Sequence, residues 1–85
     1  MSWTLYILRC RDGTLYTGIT TDVERRVTEH REGKASRYTR VRLPVTLVYR
    51  EAVASRSVAL RREAAVKRMS RRQKDRLVQA GLPSG

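Results

Sequence analysis

The chain holds one cysteine, Cys10, and one histidine, His30, among its 85 residues. One cysteine excludes an internal disulfide and fits a reducing compartment. A single cysteine and a single histidine cannot build a zinc site on their own. Acids are scarce too. The eight Asp and Glu are scattered, with none of the carboxylate density that two-metal chemistry uses. No apolar run is long enough to span a bilayer, and the N-terminus lacks the charged-then-apolar design of a signal peptide. There is no repeat, low-complexity tract, P-loop or H-E-x-x-H. These absences read as a cytoplasmic protein with no membrane role.

Arginine dominates what is present. Lys and Arg total 19 for a net charge of +11, and lysine occurs only at Lys34, Lys67 and Lys74. That balance is the electrostatic footprint of a nucleic-acid binder. The charge is spread along the chain rather than gathered in one amphipathic segment, which argues against a membrane surface. Apolar residues at 40% and charged residues at 32% fit a soluble globular protein. At this length folding buries only about 60–65% of the extended surface, so the core is thin.

Residues 3–10, WTLYILRC, are apolar and β-prone. RDGT at 11–14 is a hairpin signal, and residues 15–19 return as a second strand. Thr21 followed by Glu24 reads as a capping box, predicting a helix from near Asp22 to Gly33. Residues 34–44 are a basic connection in which Pro44 disfavours helix. Residues 45–53 alternate as a third strand. Ser55–Ser57 cap a second helix to about Arg68, with Val58, Ala59, Ala65, Val66 and Met69 as its apolar stripe. Ser70 and Gln73 open a short third helix that Gly81 ends, and the tail 82–85 is expected to be loose. The order ββα–β–αα predicts an α/β (α+β) fold, a small three-stranded antiparallel sheet flanked by helices. One domain is expected over 1–85, with its core at about 3–78.

LYTGIT at 15–20 puts a glycine inside a strand, where it weakens pairing unless something must come close. A two-residue Asp12–Gly13 loop would pair Tyr6 with Ile19 and set Tyr6 and Tyr16 on opposite faces. A three-residue loop with Gly13 left-handed pairs Tyr6 with Gly18 and Leu8 with Tyr16, and the tyrosines share a face. In that register, Gly18 is expected to leave a pocket beside Tyr6 where a phosphate could lie. On the first helix, Val23 and Val27 mark the buried side. His30 falls on that side, and Arg26 lies about 40° from it. Glu63 sits at the edge of the second helix's stripe, with Lys67 one turn on. Without further context each has a plainer role: Arg26 a solvated charge, His30 a core histidine, Glu63 an i,i+4 pair with Lys67.

TLY at 4–6, YTG at 16–18, Arg26 and His30 four apart, and Glu63 on a later helix together resemble the GIY-YIG nuclease superfamily. The likeness is to its small standalone bacterial form of the UPF0213 type, and it covers about residues 3–78. Thr4 stands where the first motif has glycine, Thr17 takes the middle of the second, and no asparagine follows the glutamate. The resemblance implies a metal-dependent DNA endonuclease acting in repair, recombination or uptake. Its substrate would be branched or single-stranded DNA, and its cofactor Mg²⁺ or Mn²⁺. It implies catalytic roles for Tyr6, Tyr16, Arg26, His30 and Glu63, with Glu63 holding the metal. Gly18, Lys34, Arg37, Tyr38, Thr39, Arg40 and Lys67 are the candidate substrate contacts. Tyr38, between basic residues, is a candidate for stacking on a base. The competing readings are a non-catalytic DNA-binding module of the same fold and a basic RNA-binding protein.

Overall fold

The computed structural model describes residues 2–81; the tail at 82–85 lies outside the described residues. Strands β1 (Trp3–Arg9), β2 (Leu15–Thr20) and β3 (Thr46–Val53) form one antiparallel sheet in the order β2-β1-β3. β1 is covered on both faces, which is why Leu5, Tyr6, Ile7 and Leu8 are a continuous buried run. Tyr6 pairs with Gly18 and Leu8 with Tyr16. Gly13, at φ 86°, makes the left-handed turn that this register requires. Cys10 and Thr14 close the loop with a backbone hydrogen bond of 2.8 Å. Against β3 the register slips between Ile7 and Leu8, so Ile7 faces Tyr49 and Leu8 faces Leu47.

Helix α1 (Val23–Arg31) follows β2. Its cap is Asp22, whose carboxylate accepts from the Arg25 amide at 3.1 Å. The expected Thr21–Glu24 box does not form, because Glu24 reaches across to Arg50 at 3.0 Å instead. α1 ends in a Schellman turn: Gly33 N–H donates to the His30 carbonyl and Lys34 N–H to that of Glu29. The basic connection contains one unexpected turn of helix, α2 (Arg37–Arg40), capped by Ser36. Ser55 caps α3 (Arg56–Lys67). Ser70 and Gln73 form both halves of the capping box that opens α4 (Arg71–Gly81). α4 runs from Arg71 to Gly81, the span expected between Ser70 and Gly81.

The sheet separates two cores. Leu5, Ile7 and Val53 pack with Ala59 and Val66 of α3 and Val78 of α4. Tyr6, Leu8 and Cys10 pack on the other side with Val23 and Val27 of α1 and with Val45. Val58 and Ala65, expected in the α3 stripe, are exposed; the helix buries Ala59 and Val66. α3 is fastened to β3 by Arg62, which donates to both oxygens of Glu51 at 2.9 and 3.1 Å. Among the described residues no helix is long and apolar enough to cross a membrane.

Candidate active site

Tyr6 rises from the middle strand toward α1 and is 1% exposed. Its ring lies across Gly18, where a Cβ would stand 2.5 Å from the hydroxyl oxygen. This corrects the expectation of an empty phosphate pocket at Gly18. The room left by the missing side chain is filled by the Tyr6 ring itself, whose hydroxyl passes over the neighbouring strand. Burial pushes the phenol's pKa up to about 12. The Arg26 guanidinium beside it opposes that rise, while the charges of Tyr16 and Glu63 add to it. One hydroxyl thus feels side chains from β2, α1 and α3.

His30 comes from α1 and is fully buried. Its Nε2 lies 2.8 Å from the Tyr6 hydroxyl and its Nδ1 2.8 Å from Thr39 Oγ1. Burial lowers its pKa and the nearby Arg26 charge lowers it further, against a smaller opposing effect of Glu29, so the ring is neutral near pH 7. The Tyr6 and Tyr16 rings meet it edge-on, at 5.7 and 5.1 Å between centroids.

Tyr16 also stacks on Tyr38, with centroids 5.9 Å apart. The Arg42 guanidinium lies over the Tyr38 ring, 3.8 Å from its centroid. Arg42 in turn donates to Asp12 at 3.1 Å, tying the turn after β1 to α2. Tyr38 is thus held by Tyr16 and Arg42 and remains 37% exposed. Nothing in the sequence of the basic connection singled out Arg42 for this clamp. Thr39 is fully buried and turned toward His30. That corrects its assignment as a substrate contact, because a side chain with no exposed surface cannot touch DNA.

Arg26 keeps 37% of its side chain exposed and pairs with Glu29 at 3.2 Å. Glu63 is half-buried and pairs with Lys67 at 3.3 Å. Its neighbour Arg62 anchors α3 through Glu51. Burial alone would raise the Glu51 carboxyl, but the hydrogen bonds from Arg62 and Tyr49 hold it below the usual carboxylate range. Lys34 is exposed beside Glu32, and Arg37 and Arg40 are exposed on α2 without a carboxylate partner among the described residues. No three His, Cys, Asp or Glu gather among the described residues. A site on Glu63 would therefore offer a metal a single carboxylate. That fits a hard divalent cation, which keeps most of its waters and shares a phosphate with the protein.

Residues 2–76 match the GIY-YIG catalytic domain. A UPF0213 protein of Desulfotalea psychrophila is 55% identical over 80 residues, spanning 93% of this chain and 73% of that protein. One from Halobacterium salinarum is 53% identical over 73 residues, 86% of this chain and 95% of its own. The solution NMR structure of a UPF0213 protein from Bacillus halodurans superposes with a TM-score of 0.63 at 49% identity, covering 98% of this chain and 89% of that one.

Proposed function

Because this chain belongs to the GIY-YIG nuclease family, we propose that it is a divalent-metal-dependent DNA endonuclease selective for branched or single-stranded DNA. It would act in the cytoplasm, in repair, recombination or DNA uptake, as a single catalytic domain. The observation that carries this reading is the Tyr6 hydroxyl. It is buried, bonded to a neutral histidine, and close enough to Arg26 and Glu63 for both to shift its pKa.

Glu63 would hold Mg²⁺ or Mn²⁺, which when bound neutralises charge on the phosphate and the leaving oxygen. Arg26 presents a planar fork to the phosphoryl oxygens as their charge grows. A phenol with a pKa near 12 is not ionised beforehand at neutral pH, so Tyr6 acts as a relay. It takes the proton of the attacking water as its own proton passes to His30 Nε2. The water oxygen bonds to phosphorus, the bond to the leaving oxygen breaks, and solvent protonates the leaving group. Tyr16 holds the His30 ring edge-on. Lys34, Arg37, Arg40 and Lys67 grip flanking phosphates without reading bases, and the partly exposed Tyr38 borders their path.

Labelled single-stranded, duplex, flapped and four-way-junction DNA, each with Mg²⁺, Mn²⁺ or EDTA, tests the proposal beside Glu63→Ala. Metal-dependent cleavage that the variant loses is expected. Binding without cleavage on every substrate would move the reading to a non-catalytic DNA-binding module.

A further inference from the structure

Thr39 has no place in binding DNA, yet it is fully buried and polar. A neutral imidazole carries one proton. It donates from one nitrogen and accepts at the other, and its partners decide which. Nε2 faces the Tyr6 hydroxyl and Nδ1 faces the Thr39 hydroxyl, both at 2.8 Å. Hydroxyls can donate or accept, so these two contacts leave the tautomer open.

A third contact favours one of the two. Thr39 Oγ1 donates to the backbone carbonyl of Ser36 at 3.3 Å. A carbonyl can only accept. Once the Thr39 proton is directed there, its oxygen offers His30 lone pairs alone. In that arrangement Nδ1 carries the imidazole proton, and Nε2 is bare. The chain of bonds runs one way: Tyr6 O–H to Nε2, Nδ1–H to Thr39 Oγ1, and Thr39 O–H to the Ser36 carbonyl. α2 supplies the end of this chain, since Ser36 caps it and Thr39 lies on its single turn.

We propose that Thr39 is a positioning residue that fixes His30 as the Nδ1–H tautomer, so that Nε2 accepts the Tyr6 proton and the Tyr6 lone pairs are turned away from His30. Its catalytic consequence rests on the reading of Tyr6 as the proton relay. The tautomer itself does not.

The test is ¹⁵N NMR of the imidazole. With one histidine in the chain, the ring signals need no assignment. Wild type is expected to show a protonated Nδ1 and a bare Nε2. Thr39→Val keeps the shape and removes the acceptor, and should shift His30 toward the Nε2–H form. Thr39→Ser should restore the wild-type pattern. In cleavage assays Thr39→Val should lower kcat roughly tenfold or more, with KM little changed, and Thr39→Ser should recover most of it. A protonated Nε2 in wild type, or an unchanged tautomer in a folded Thr39→Val, overturns the proposal. If the wild type shows the expected tautomer but cuts no DNA, the nuclease reading fails while the tautomer assignment stands.

Discussion

Leu5 and Ile7 point to one face of β1, Tyr6 and Leu8 to the other, and all four are buried. The two faces are nevertheless built differently. Beneath Leu5 and Ile7, Ala59, Val66 and Val78 form an apolar layer with no directional bonds to satisfy. Beneath Tyr6, the buried layer contains His30 and Thr39, which stay inside because every polar atom has a partner. The difference teaches how a chain of this size divides its thin core. One face is stabilised mainly by buried apolar area, with the Arg62–Glu51 pair fastening its helix at the edge. The other gives up apolar volume to hold a hydroxyl at a fixed orientation in a low-dielectric setting, where its bonds are strengthened and its misplacement costs most.

The largest effect should come from cutting into the apolar face. Leu5→Ala removes a fully buried side chain and is expected to cost about 2–5 kcal/mol, a large part of a small domain's stability. Activity per folded molecule should stay near wild type at low temperature. Denaturant melts alongside cleavage rates check this; a parallel fall in activity while the protein is still folded would show the faces to be coupled. Gly18→Ala strikes the other face. Its Cβ would meet the Tyr6 hydroxyl oxygen at 2.5 Å and ring carbon at 2.6 Å, so the ring must move. Displacement by about an ångström should lower cleavage roughly 100-fold, with a smaller loss of stability of about 1–3 kcal/mol. Wild-type activity in this variant would mean the Tyr6 position is not critical.

Much of this contrast was legible in the strand pattern. The three-residue loop, with Gly13 left-handed, fixed the register and so put Tyr6 and Tyr16 on one face. The reason for Gly18 was not legible, because whether a missing side chain leaves a void or admits a neighbour depends on the rotamer of Tyr6. α2 was missed since Pro44 spoke against helix, yet Arg37–Arg40 ends before the proline and Ser36 caps it. Thr39 reads in the sequence as a substrate contact; its bond to His30 depends on that one turn lying against α1, which the sequence does not show. The cap of α1 was misread by one residue. Thr21 and Asp22 are both competent caps, and long-range pairing of Glu24 with Arg50 removed the reciprocal half of the box. Asp22→Ala should therefore cost about 1 kcal/mol in thermal melts, and Thr21→Ala much less. Equal losses would restore the Thr21 box.

The finest test separates the faces by proton uptake. On the polar face, burial lowers the pKa of His30. As pH falls below about 6.5, the unfolded chain takes up the histidine proton first, so stability is lost as pH drops through the folded value. At the alkaline end Tyr6, pushed up to about 12, keeps its proton while the unfolded tyrosine releases it near about 10. Stability should fall between those two values for that reason. Comparing wild type with His30→Gln on the acid side and Tyr6→Phe on the alkaline side cancels the background of the many arginines. Each variant should shrink only its own limb of the pH–stability curve, since Tyr49 and Glu51 also contribute, and Tyr6→Phe should also remove an ionisation near pH 12 from the absorbance titration. If both limbs are undiminished in the variants, the buried polar layer is not where the protons are held. The buried cluster of the Leu5 and Ile7 face is apolar, but Tyr49 packs against it and burial raises its pKa, so Leu5→Ala should lower the whole curve with only a small change of shape at the alkaline end.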